Sequence, residues 1–154
     1  MLGRTYDKEV CSAARALELV GERWSLLILR NAAFAGMTRF TDFQKSLDIA
    51  PNVLAARLAH FVEMGIMTMS DRVDGRPTYH LTKKGLDFKP VIIALTDWGD
   101  AWAAPDGAPI VYEHDGCGGR VRQRMKCKRC GERLLAQDVV ARSGLQSLGG
   151  SPAR

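Results

Sequence analysis

Three of the four cysteines in this 154-residue chain crowd into fourteen positions, with a histidine just ahead of them. His114-x2-Cys117 is followed, after nine intervening residues, by Cys127-x2-Cys130, and Gly116, Gly118 and Gly131 give the backbone room to turn around an ion. One histidine and three cysteines on two tight turns is the spacing of a small zinc ribbon, a closed tetrahedral site for one structural zinc per chain. The segment has few apolar residues, so metal binding would supply folding free energy it otherwise lacks. Two other readings stand beside this one: Cys127 and Cys130 as a thiol redox pair, and His114 simply facing solvent. The fourth cysteine, Cys11, precedes a predicted helix, where backbone N–H groups and the macrodipole favour a thiolate. Lys8 and Arg15 are close in sequence. Cys11 therefore reads either as a sensing thiol or as a small buried hydrophobe at a subunit contact.

No catalytic set accompanies these groups. Asp, Glu, His and Ser are present, but His60 falls within a predicted helix and His80 within a predicted strand, so no enzyme is expected. The chain carries 22 Lys and Arg against 17 Asp and Glu, a net charge of +5. That is the sign expected of a protein that approaches a polyanion. No apolar run reaches the length of a membrane span, and Leu2 to Asp7 lacks the apolar core of a signal peptide. A cytoplasmic protein is the expectation, because crowded cysteines do not resemble a secreted disulfide framework.

The elements that position chemistry centre on residues 37–84. Phe40, Phe43 and Leu47 recur at helical spacing from Thr38 to Leu47, and the chain turns at Asp48-Ile49. A second helical stretch resumes at Ala50-Pro51, runs to Met64 and stops at Gly65. Two short helices across a tight turn have the form of a helix-turn-helix. Ile66–Ser70 and Thr78–Thr82 read as strands joined by the turn Asp74-Gly75-Arg76-Pro77, which adds a wing. Winged helix-turn-helix units read DNA through the second helix. Pro51 suits its first turn, Asn52 can pair with an adenine edge, Val53 can touch a thymine methyl if it faces out, and Arg57 can reach guanine or phosphate. Arg57 is also near enough to pair with Asp42. Thr38, Arg39, Thr41 and Lys45 are candidate phosphate clamps, Thr38 foremost as the start of a helix. The wing offers Arg72 and Arg76, with Lys83 and Lys84 behind it. Arg76 is placed for a narrow minor groove, although Asp71 and Asp74 dilute the charge and leave a looser backbone contact open.

Upstream, a helix from Cys11-Ser12 to Gly21, with Ser12 as its cap, and a central apolar helix from Glu22 are expected. Downstream, a helix spanning 86–102 carries Phe88, Val91, Ile92, Leu95, Trp98 and Trp102, more apolar surface than one domain needs. Homodimerisation through the first helix and this one would cover it; folding back on its own domain is the alternative. The fold class is mainly α with a small β wing, plus a small C-terminal β lobe resembling a zinc ribbon. The expected divisions are a DNA-binding and dimerisation domain over 1–103, a linker over 104–109, the cysteine-bearing lobe over 110–141, and a disordered tail over 142–154. Strands are expected at Ile110–His114, Arg120–Lys126 and Leu134–Val140.

Cys11 before a helix, Leu19-Val20-Gly21-Glu22-Arg23-Trp24-Ser25-Leu26-Leu27-Ile28-Leu29-Arg30, Arg39-Phe40 and Phe43-Gln44 resemble the HxlR-type family of bacterial transcriptional regulators. So do Leu54–Leu58, Gly65-Ile66, Tyr79–Thr82 and Gly85-Leu86. The resemblance covers roughly residues 8–103. It implies a winged helix-turn-helix homodimer on a palindromic operator, responsive to oxidants, electrophiles or a small aromatic effector, with Cys11 at the position of the sensing thiol. Ser12 departs from the family's usual proline there, and the cysteine-bearing extension occurs only in some relatives. The competing functions are a thiol redox protein using Cys127-x2-Cys130 and a non-specific architectural DNA-binding protein.

Overall fold

The computed structural model describes Tyr6, residues 11–71 and residues 75–142. Helix α1 (Ser12–Val20) is capped by the backbone of Cys11, which is extended and accepts the Arg15 N–H at 3.1 Å. Ser12 is already helical, so it is the first helical residue and not the cap. Helix α2 (Ser25–Phe34) begins three residues later than expected. The Glu22 carboxylate accepts the Trp24 N–H at 3.0 Å and holds Glu22–Trp24 as a turn.

Helices α3 (Phe40–Leu47) and α4 (Pro51–Glu63) form the helix-turn-helix. Asp48 sits between them in the left-handed region at φ 48°, which Asp tolerates better than most residues. Ile49 beside it is buried and pins the turn to the core. Gly65 (φ 66°) then ends α4, with the Ile66 N–H returned to Phe61 O at 2.8 Å. This is the glycine-terminated closure that satisfies last-turn carbonyls.

Strands β1 (Met67–Asp71) and β2 (Pro77–Leu81) pair antiparallel, Met67 opposite Leu81 and Asp71 opposite Pro77. The sequence reading missed a third partner: Arg39 bridges Thr78, and the Tyr79 N–H donates to Thr38 O at 2.8 Å. The helix expected over 86–102 begins only at Lys89, as α6 (Lys89–Trp102), and a separate short helix α5 (Lys83–Leu86) precedes it. Pro90 explains the break, since it offers no N–H to Leu86 O and its ring crowds that carbonyl. Among the described residues no helix is long and apolar enough to cross a membrane.

Phe43, Phe61, Ile28, Leu29, Leu54, Leu58 and Met67 are fully buried and join α2, α3, α4 and β1 in one core. Each contributes about 1.5–3 kcal/mol by leaving water. Asn31 is the polar tie within it. Its amide donates to Ser46 Oγ at 3.0 Å, and its oxygen accepts both Nε and a terminal N–H of Arg30. Beyond Trp102 the expected strands are reduced to two single bridges, Glu113 to Arg120 and Lys126 to Arg133, and residues 136–138 form a 3₁₀ turn. Residues 122–126 expose every side chain, so no buried face exists to select a longer ladder. The segment docks through Tyr112, whose ring lies 4.3 Å from that of Phe34 and whose Oη is 3.4 Å from Thr96 Oγ1.

Candidate nucleic-acid interface

Helix α4 buries Leu54, Leu58 and Phe61 on one side, and the opposite side exposes Pro51, Asn52, Ala55, Ala56 and Ala59. Asn52 is the polar group at the N-terminal end of this outer face, and three alanines beside it allow close approach to a surface. No side chain caps the helix, so its first-turn N–H groups face outward with the positive end of the macrodipole. Pro51 occupies the first turn as expected. Ala55, Ala56 and Ala59 were missed by the sequence reading, although their spacing from Asn52 places them on one helical face.

Two residues assigned to base contact face elsewhere. Val53 is half-buried and packs on the core, because it lies one position before Leu54 on the inward flank. Arg57 is half-buried, with Nε 3.8 Å from the Glu22 carboxylate; its partner is Glu22, not Asp42. His60 likewise turns inward, its Nε2 3.2 Å from Leu19 O.

Around α4 the basic groups are distributed over three elements. Arg39 is exposed at the N-cap of α3, and Thr41 and Lys45 are exposed along that helix. Thr38 precedes the helix rather than starting it, and its carbonyl is engaged by β2, so it belongs to the sheet edge. Arg76 is exposed beside Gly75 at the end of the wing. Arg72 and Asp74 lie outside the described residues, as do Lys8 and the tail from 143. Lys83 pairs with Asp87 at 2.6 Å, both highly exposed, and Lys84 donates to Met64 O at 2.8 Å.

The sensing candidate, Cys11, is exposed at the start of α1. In the C-terminal segment His114 Nδ1 lies 3.2 Å from Cys117 Sγ. Cys127 and Cys130 form a second pair, in which the Cys130 and then the Arg129 backbone N–H, followed by the Cys130 thiol, hold the Cys127 thiol below its ordinary range. Among the described residues no three His, Cys, Asp or Glu side chains gather in one cluster. Trp98 and Trp102 stand exposed on α6. An open groove of about 320 Å³ lies elsewhere, lined by Phe34, Ile93, Ile110, Tyr112 and Val121 among others.

Residues 19–107 match the family model for HxlR-like helix-turn-helix proteins. Over 139 residues the chain is 42% identical to Rv3095 of Mycobacterium tuberculosis, an uncharacterized HTH-type transcriptional regulator, spanning 86% of this chain and 85% of that protein. Among solved structures, PA1607, a candidate transcription factor, superposes with a TM-score of 0.78 at 38% identity, over 89% of this chain and 98% of its own. PA1374 of Pseudomonas aeruginosa, described in the same terms, gives 0.60 at 36% identity over 87% and 92%. Those shares exceed what residues 1–107 can supply, so the likeness extends into the cysteine-bearing segment.

Proposed function

This chain belongs to the HxlR-like helix-turn-helix family of transcriptional regulators, and from that premise we propose that it binds a palindromic operator as a homodimer. The observation that carries the reading is the outer face of α4, where Asn52 projects from a surface of alanines and proline opposite the packed side. Inserted in a major groove, Asn52 pairs with an adenine edge, the alanines admit the helix against base edges and methyls, and Arg39, Lys45 and Arg76 hold phosphates on either side. Lys83 acts more weakly, since Asp87 offsets its charge.

The dimer follows from α6. Val91, Leu95, Trp98 and Trp102 form one stripe at 49%, 49%, 62% and 78% exposure, while Ile92 and Ile93 on the other side are in the core. A helix apolar on both faces is covered by a partner, and α1 also leaves an apolar residue, Leu17, half exposed. Two copies joined there set two α4 helices about 34–36 Å apart, one turn of DNA. Cys11, exposed where α1 begins, is the thiol through which an oxidant or electrophile acts. A small aromatic effector is accommodated by the groove beside Phe34 and Tyr112.

Selection of bound sequences from random duplex DNA tests the reading. A two-fold symmetric site is expected, with affinity falling steeply as salt rises. Asn52→Ala should cost about 1–3 kcal/mol on that site, roughly 5- to 150-fold, and relax selectivity at one base pair per half-site. Recovery of no preferred sequence would leave the architectural alternative.

A further inference from the structure

Residues 113–120 and 126–133 repeat one backbone arrangement. Each hairpin closes on a single bridge, Glu113 with Arg120 and Lys126 with Arg133. In the first, the His114 N–H donates to Gly119 O at 2.8 Å; in the second, the Cys127 N–H donates to Glu132 O at 2.9 Å. Gly118 then donates back to His114 O at 2.8 Å, and Gly131 to Cys127 O at 2.9 Å. Both glycines are left-handed, at φ 68° and 77°, a conformation that excludes most side chains. Cys117 and Cys130 occupy the same place in the two turns, and His114 and Cys127 the place three residues before.

The side chains on these turns are kept clear of neighbours. A Cβ on Gly119 would lie 3.3 Å from Cys117 Sγ, and one on Gly116 would lie 3.1 Å from His114 Cε1. The 3.2 Å between His114 Nδ1 and Cys117 Sγ is near the separation of about 3.6 Å for nitrogen and sulfur ligands sharing a tetrahedral zinc. No apolar core accounts for the arrangement, since among residues 113–142 no side chain is buried. Two matched turns that present soft ligands and have no buried side chain of their own need another source of folding free energy.

We propose that the two turns close on one structural zinc ion, held by His114 Nδ1 and the thiolates of Cys117, Cys127 and Cys130. The pairs sit on separate turns, and among the described residues no three ligands converge; coordination draws the turns together across residues 121–126. Each thiol gives its proton to solvent and the imidazole binds neutral, so three protons leave per ion. The site then carries one net negative charge, set among the seven Lys and Arg and one Glu between Arg120 and Arg133. The first turn is already tied to α6, by Arg120 to Asp100 at 3.6 Å and the Gln123 N–H to Asp97 at 3.0 Å. The ion therefore fixes the segment that covers the polar side of α6.

The test uses the full chain. Metal analysis of protein purified with zinc should give about one ion per chain for the natural sequence and for Cys11→Ser. Cys117→Ser, Cys127→Ser and Cys130→Ser should each weaken binding by more than the roughly 10- to 100-fold typical of outer-shell changes. Far-UV circular dichroism confirms that the helices persist. His114→Cys should keep the ion, and its Co(II) derivative should change from a three-sulfur to a four-sulfur tetrahedral spectrum. Absence of metal with a Cys127–Cys130 disulfide would overturn the proposal. So would a Co(II) spectrum unchanged by His114→Cys, or half an ion per chain insensitive to Cys117→Ser, which would place the metal between two copies of the second turn.

Discussion

Asn52 and Arg57 lie five residues apart on α4 and face different partners. Five residues turn a helix by about 500°, or 140° net, which carries Arg57 round to Glu22 at 3.8 Å. Chemistry nominated both for base contact, and only the helix phase separates them. Cys11 is a different case, since it is exposed at the head of α1 in the single chain, and its proposed sensing role is separable from packing at a subunit contact by experiment. Operator complexes of the natural protein should therefore dissociate on treatment with a hydroperoxide or quinone, and those of Cys11→Ser should persist. Equal sensitivity of the two proteins in a gel-shift assay would remove Cys11 from the mechanism.

Elements depend on contacts that a residue type only hints at. Gly85, in α5, lies where a Cβ would stand 2.4 Å from Ile66 O and 2.8 Å from Leu81 Cδ2. Thr82 locks the same junction, donating to Gly65 O at 2.7 Å while its oxygen accepts the Gly85 N–H at 3.3 Å. Gly85→Ala should destabilise the fold by about 1–3 kcal/mol through overpacking, read as a Tm several degrees lower in thermal unfolding. An unchanged Tm would mean that α5 can move away from Ile66 and β2 without cost. The helices and the wing were legible because apolar residues recur at 3.6 and turn residues stop them. The Thr38–Arg39 edge was not, since a two-residue pairing carries no periodicity, and the break before α6 required weighing Pro90 against a strong helical pattern.

The whole molecule leaves an apolar stripe on α6 open while the other side of that helix is core. Leu95→Lys, a charge at the middle of the stripe, should leave the monomer folded and shift sedimentation toward one chain. Affinity for a full palindrome should then fall at least about 10-fold, with half-site binding preserved, because each half-site is read by one α4. A natural protein that sediments as a single chain at all concentrations would contradict the dimer. The C-terminal segment adds its own constraint at this scale: Tyr112 seats it against Phe34 of α2 and Thr96 of α6, so it rides in part on the helix that carries the stripe.

What the sequence determined by itself was the order and type of the main elements, the family, and the groups able to do chemistry. Periodicity, turn residues and ligand spacing are local properties, and the chain states them within a few residues. Tertiary structure alone decided which way each group faces. It sent Val53 into the core and Arg57 to Glu22, placed Thr38 at a sheet edge, and exposed Ala55, Ala56 and Ala59 beside Asn52. It kept the two expected turns at His114-x2-Cys117 and Cys127-x2-Cys130 but reduced the strands expected around them to single bridges. The physical reason is common to all of these. A side chain's direction is set by which face of its element finds apolar cover, and that cover comes from residues distant in sequence.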